Sequence, residues 1–261
     1  MSLENKVVWI TGASRGIGEA LAKECSRKGA FVVLSARGEK ELYRVQASLT
    51  NPEKSFVLPF DICDTSCLEE KTKQVLKNAG KIDMLINNAG IDARDWVKNT
   101  ELSTYKKVMD INFFGNIALT LKVLPHLSTK GHIVSISSVN GLLSDKKSSA
   151  YAASKHALMG FYNALRAEIS PQQTVSVVTP GYIKTDITLH ALKGNGQEYG
   201  EKFGGTLTGM DVNKMAKKVV SALERRKTQI YVGGFQERLA VAVHAVFPRL
   251  FFKVIEKVEP A

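Results

Sequence analysis

The sequence predicts an α/β fold in which a doubly wound, seven-stranded parallel sheet carries helices on both faces. Three observations lead there. Short apolar, β-branched runs alternate with stretches of helical periodicity along most of the chain. The first of those runs ends in a glycine-rich turn that opens an amphipathic helix. The chain has 261 residues, 44% hydrophobic and 23% charged. That is enough for one large core and requires no second, so residues 1–261 read as a single domain.

The elements follow in order. Residues 6–11 (Lys-Val-Val-Trp-Ile-Thr) form an apolar run of the kind buried on both faces of a parallel sheet. Residues 17–28 place Ile17, Leu21, Ala22 and Cys25 at helical spacing, and Gly29 closes the helix. The alternation continues with a strand at 31–35, a helix at 40–49, a strand at 55–59, a helix at 66–79, a strand at 84–87, one long helix at 104–128 and a fifth strand at 131–136. A helix at 150–169, a strand at 175–179, an irregular Gly-rich stretch at 180–209, a helix at 212–225 and a seventh strand at 230–232 complete it. Right-handed crossovers between parallel strands make this a doubly wound sheet, with ligands expected at the carboxyl ends of the strands.

Composition narrows the function. The five histidines form no His-Glu-x-x-His cluster, and Cys63 and Cys67, though able to share a helix face, are followed by no second ligand pair. No metal site is expected, and the three cysteines read as plain thiols. The formal net charge is +11, and from residue 214 to 261 ten Lys or Arg stand against four Glu. No aromatic-interleaved basic stripe or zinc-finger spacing accompanies that charge, so nucleic acid is not the expected partner. Residues 1–6 carry no signal-like apolar stretch and no run reaches membrane-spanning length; a cytoplasmic protein is the expectation.

The turn after the first strand is Thr11-Gly12-Ala13-Ser14-Arg15-Gly16-Ile17-Gly18. Gly12 allows a tight exit from the strand, Gly16 a close approach of backbone to a pyrophosphate, and Gly18 close packing of helix on sheet. The helix N-terminus adds free amides and the positive end of its dipole. Together these make a Rossmann-like dinucleotide site. An NAD-preferring site usually places an acid at the end of the second strand, where Ala36 stands here; Arg15 and Arg37 offer guanidinium forks to a 2′-phosphate instead. NADP(H) is the expected cofactor, with NAD(H) the alternative if both arginines are only solvated surface residues.

Tyr151-Ala-Ala-Ser-Lys155 sets a phenol and an ammonium four residues apart on one helix face, and Ser137-Ser138 ends the fifth strand where a bound cofactor would expose its reactive ring. With Thr11-Gly12-x-x-x-Gly16-x-Gly18, Asp61, Asn87-Asn88-Ala89-Gly90, Asn112 and Pro180-Gly181-x-Ile183-x-Thr185, the chain from 6 to 234 resembles the short-chain dehydrogenase/reductase family of the single-domain type. Ser35-Ala36-Arg37 and the tail Pro248-Arg249-Leu250-Phe251-Phe252 bring it nearest to NADP(H)-dependent carbonyl and hydroxysteroid reductases of the dehydrogenase/reductase member 7 kind.

The resemblance implies roles. Tyr151 would give its proton to a carbonyl oxygen, or take it back in the reverse direction. Lys155, with the positive charge of an oxidised nicotinamide, would lower the phenol's pKa and bond the nicotinamide ribose. Ser138 would hold the substrate oxygen, and Asn112 a water that passes protons to Lys155. The cofactor would lie along Gly12, Ser14, Arg15, Gly16, Ile17 and Gly18, with Arg37 at the 2′-phosphate, Asp61 and Ile62 at adenine and Asn88, Ala89 and Gly90 at ribose. Pro180, Gly181, Ile183 and Thr185 would cover the nicotinamide end. The family's habit of pairing through long helices implies a homodimer or homotetramer.

Residues 182–209 read as a substrate lid with Ile187, Leu189, Leu192, Tyr199 and Phe203 as its apolar lining, and with Trp96, Leu142 and Leu143 nearby. The expected substrate is an apolar ketone, aldehyde or secondary alcohol of steroid, retinoid or xenobiotic type. Residues 235–258, divided by Pro248, read as two short amphipathic helices with three competing placements: over the core or pocket, at a subunit interface, or on an acidic membrane surface. The alternative from another class is an NADP(H)-binding regulator or scaffold that does not turn over substrate.

Overall fold

A computed structural model describes residues 2–202 and 204–258. Its seven strands are β1 (Val7–Thr11), β2 (Phe31–Ser35), β3 (Ser55–Val57), β4 (Ile82–Asn87), β5 (Leu127–Ile136), β6 (Thr174–Pro180) and β7 (Gln229–Val232). They form one sheet in the order β3-β2-β1-β4-β5-β6-β7, every pair parallel. All residues of β1, β4 and β6 are buried, as an apolar strand covered on both faces must be. The chain runs outward through β1, β2 and β3 and then returns to the other side of β1 as β4. A crevice therefore opens beyond the carboxyl ends of β1 and β4.

The helices are α1 (Gly16–Arg27), α2 (Glu39–Ala47), α3 (Leu68–Ala79), α4 (Leu102–Met109), α5 (Gly115–Val123), α6 (Ser149–Glu168), α7 (Val212–Glu224), α8 (Phe235–Val246) and α9 (Pro248–Ile255). Strand alternation decides which face each covers. Val8 and Ile10 of β1 point to one side, where they join Leu21 of α1, Leu42 of α2 and Val219 of α7. Trp9 points to the other, with Val75 of α3, Leu119 of α5 and Tyr162 of α6. Two apolar cores thus sandwich the sheet.

The expected long helix at 104–128 is interrupted. Between α4 and α5 the chain makes a wide π turn, Asp110–Phe114, and a 3₁₀ turn, Leu124–His126, ends the run at Pro125. Close packing accompanies the widening: a Cβ on Gly115 would meet the Ile62 carbonyl oxygen at 2.7 Å. The Asn116 amide donates to the carbonyls of Asn112, Ile111 and Ala89, tying the π turn together. β5 starts at Leu127 rather than 131, because Leu127 pairs with Ile82 across a register irregularity that its polar successors conceal. Cys63 lies not on a helix but in a turn, its N–H donating to Asp61 Oδ1 at 3.0 Å.

Candidate active site

At Gly12 and Gly18 the glycine turn is packed so closely that no side chain would fit. Gly12 and Gly16 have φ of +63° and +57°, and a Cβ on Gly12 would lie 3.0 Å from Ala89 Cα. A Cβ on Gly18 would lie 2.2 Å from the Gly12 carbonyl oxygen, so glycine there lets α1 descend onto its own strand. α1 has no side-chain cap, and its first amides, those of Gly16, Ile17 and Gly18, keep no intrahelical acceptor. Ile17 packs into the α1 core. Ser14 is held from behind by Arg44, whose guanidinium donates to the Ser14 carbonyl at 2.9 Å while pairing with Glu19 at 2.7 Å. This cradle of backbone at a helix N-terminus fits an anionic diphosphate.

The loop after β4 is locked onto the glycine turn. Asn88 Nδ2 donates to the carbonyls of Thr11 and Gly12 at 2.9 and 3.2 Å, and the N–H groups of Asn88 and Ala89 both reach Thr11 Oγ1 at 3.0 Å. Beyond β2, Arg37 and Asp61 border an open cleft of about 600 Å³ whose far wall is Lys106, Lys107 and Phe114 of the α4 side. Ile62 is buried against Gly115. Arg15 and Arg37 are exposed, and their guanidiniums make no hydrogen bond or ion pair among the described residues. At the opposite end, Thr185 Cγ2 comes within 3.6 Å of the Cβ position of Gly16. The segment after β6 is held there by Gly181 N–H to the Val232 carbonyl and by an Ile183–Met210 bridge that follows Pro180.

α6 projects Tyr151 and Lys155 toward the end of β5, with Lys155 Nζ 5.4 Å from the centre of the Tyr151 ring. Nζ donates to the Ile136 carbonyl at 3.0 Å and lies 3.5 Å from the Cβ position of Gly90, so the loop after β4 and the ammonium meet. Burial pushes the Lys155 amine down to about 8, against the pull of the Asp92 carboxylate. Burial also pushes the Tyr151 phenol above the usual range; Asp92 pushes the same way and the Ser138 side chain pulls it back. In the protein alone the surroundings of the phenol therefore favour its protonated form. Ser138 adopts an extended backbone, its Oγ accepting from Asn140 N–H at 3.1 Å, while Ser137 Oγ is spent on the Lys155 carbonyl.

Asn112 sits at the centre of the π turn and is fully buried. Its Nδ2 donates to the Ile91 carbonyl and to Ser154 Oγ, both at 2.9 Å, and its Oδ1 accepts from Ile91 N–H at 2.8 Å. The amide braces the β4 loop against α6, and one Oδ1 lone pair is left to accept from a water.

A buried charge cluster beside Tyr151 went unread in the sequence. Arg94 pairs with Asp92 at 3.3 Å and with Asp145 at 3.0 Å; Asp145 also accepts from Asn140 Nδ2 at 3.0 Å and from Ser148. Burial raises the Asp92 carboxyl while the Arg94 guanidinium holds it back. Asp92-x-Arg94 directly after the Asn87–Gly90 turn was a signal; Asp145, 51 residues from Arg94, gave none. The segment expected to be a lid, residues 182–209, is more firmly seated than its glycines suggest. Leu192 is buried against Ala93 and Val108, and Gly194 N–H donates to Asp95. Trp96 is on the surface under Lys147, Leu142 packs into the α6 core, Leu143 packs against Phe251 of α9, and Phe203 lies outside the described residues.

Residues 6–195 match the short chain dehydrogenase family. The chain is 39% identical to dehydrogenase/reductase SDR family member 7B of Xenopus laevis, over 97% of this chain and 81% of that protein. Two crystal structures superpose closely. A short chain dehydrogenase/reductase from Burkholderia phymatum in complex with NAD has a TM-score of 0.82 at 20% identity, covering 100% of this chain and 99% of the other. A short chain dehydrogenase from Burkholderia cenocepacia in complex with NADP has a TM-score of 0.79 at 21% identity, covering both chains in full, 100% and 100%.

Proposed function

The chain belongs to the short-chain dehydrogenase/reductase family of oxidoreductases, and on that premise we propose that it reduces an apolar ketone or aldehyde with NADPH, through Tyr151 as proton donor. The observation that carries this reading is the convergence of Tyr151, Lys155 and Ser138 at the end of β5, with Lys155 Nζ 5.4 Å from the centre of the Tyr151 ring and anchored on the Ile136 carbonyl at 3.0 Å. When bound, the dinucleotide supplies the hydride. Tyr151 gives its proton to the carbonyl oxygen, and Ser138 orients that oxygen with its hydroxyl. Lys155, poised near 8, bonds the nicotinamide ribose and helps return a proton to Tyr151, with the water accepted by Asn112 as the relay.

The glycine turn, Asp61, Ile62, Asn88, Ala89, Gly90 and the segment from Pro180 to Thr185 hold the cofactor along the crevice. Preference for NADP(H) is supported by Ala36 where an acid would repel the 2′-phosphate, and by the exposed guanidiniums of Arg15 and Arg37, which make no hydrogen bond or ion pair among the described residues. An apolar substrate is supported by the resemblance to carbonyl and hydroxysteroid reductases carried by Ser35-Ala36-Arg37 and Pro248-Arg249-Leu250-Phe251-Phe252; Val139 and Leu143, which follow Ser138, are covered by α8 and α9. The reading includes a cytoplasmic location and a homodimer or homotetramer paired through the long helices, the pairing supported by the exposed Leu121 of α5. Fluorescence titration tests the cofactor assignment. NADPH should bind about ten- to a hundredfold more tightly than NADH, the worth of a charge-assisted hydrogen bond or two. Arg37→Glu should abolish that preference. Equal binding of the two by the unaltered protein refutes the phosphate clamp.

A further inference from the structure

The C-terminal helices are two-faced. Their inner faces are occupied: Phe251 and Ile255 of α9 and Ala240 and Val241 of α8 pack on Val139 and Leu143. Glu237 turns inward as well, its Oε1 accepting from Tyr182 N–H at 3.2 Å. The outer faces are apolar and bare. Phe235, Leu239 and Val246 run along α8 with 52 to 79% of their surface exposed. Phe247 joins the two helices, and Leu250 and Val254 continue the stripe along α9, again more than half exposed. A patch this size is rarely left open to water on a soluble protein.

Charge says what covers it. Arg249, Lys253 and Lys257 repeat every four residues, one position behind Leu250, Val254 and Val258, so a column of cations stands beside the apolar column. Among the described residues beyond Gly234 the acids are the inward Glu237 and Glu256, and Lys146 from the α6 side lies against the Glu256 carbonyl at 2.9 Å. A second copy docked on this face by a two-fold axis would bring the cation columns toward one another. A water–lipid boundary accepts both columns at once, apolar side chains into the acyl region and lysines and arginines snorkelling to acidic headgroups. At about 1.5 Å per residue the two helices are short rods that lie in such a boundary, and neither is long enough to cross it.

We propose that the outer face of α8 and α9 docks this protein on membranes rich in anionic lipid. Cosedimentation of the full chain with phosphatidylcholine vesicles, and with vesicles that also contain phosphatidylserine, tests it. The chain should sediment preferentially with the anionic vesicles, and added salt should weaken that binding. Lys253→Gln with Lys257→Gln should weaken it roughly 25-fold, about fivefold for each cation near an anionic surface. Leu250→Ser with Val254→Ser should weaken binding by about tenfold or more while the melting temperature stays at its original value. Absence of sedimentation overturns the proposal, as does equal binding to both vesicles. So does a Leu250→Ser, Val254→Ser protein that binds vesicles normally but has lost an oligomer, which would make the face a contact between copies.

Discussion

Replacing Lys155 by Met should abolish activity and yet stabilise the cofactor-free protein at neutral pH. The amine is buried, and burial carries its pKa from the usual 10.5 down to about 8. At about 1.4 kcal/mol per pKa unit, keeping it charged in the folded state at pH 7 costs on the order of 3 kcal/mol relative to the unfolded chain. Methionine removes that cost and loses the hydrogen bond to the Ile136 carbonyl, worth about 1 kcal/mol. The net gain is about 2 kcal/mol, a rise in Tm of about 4 °C for a chain of this size.

The sign with pH follows from the direction of the shift. Because the folded pKa lies below the unfolded one, the folded protein holds fewer protons between about 8 and 10.5, and the unaltered protein gains stability as pH rises through that window. The advantage of Lys155→Met is therefore full below about pH 8 and shrinks as pH rises, until near pH 10.5 the lost hydrogen bond leaves the variant about 1 kcal/mol less stable than the original. Urea unfolding of both proteins without cofactor, across that range, measures it. A variant that is less stable at pH 7, or whose gain does not change with pH, refutes the argument.

Two other substitutions probe the scaffold. Gly18→Ala should destabilise the protein by about 1–3 kcal/mol and weaken NADP(H) binding, since its Cβ would lie 2.2 Å from the Gly12 carbonyl oxygen; thermal melts and cofactor titration report both. Arg94→Leu should cost about 3–5 kcal/mol by stranding Asp92 and Asp145, and a second change, Asp92→Asn, should recover part of the loss in urea unfolding. An Arg94→Leu protein as stable as the original would show that the cluster is solvated.

The parts of this molecule that were legible in sequence are those governed by local periodicity. Val7 to Thr11, Phe31 to Ser35 and Thr174 to Pro180 are strands because their apolar runs are buried on both faces, and that signal is written within each run. Tyr151 and Lys155 are four apart on a helix, so their proximity needed no tertiary knowledge. The π turn at Asn112 was not legible, because it depends on contacts with Ile62, Ile91 and Ser154 that lie far away in sequence. The start of β5 was hidden by Ser128, Thr129 and Lys130, which read as a loop. The Arg94 cluster and the Arg44–Glu19 pair came from the same cause: their partners are chosen by the fold.

The most direct test of the account is NADPH consumption, followed by absorbance with a panel of apolar ketones and aldehydes, by the unaltered protein and by Tyr151→Phe. The account expects at least one carbonyl to be reduced and the Tyr151→Phe rate to fall by about 10²–10⁴-fold, the usual contribution of a positioned proton donor, while NADPH binding is retained. Turnover that survives Tyr151→Phe, or an unaltered protein that binds NADPH and reduces none of the panel, contradicts it.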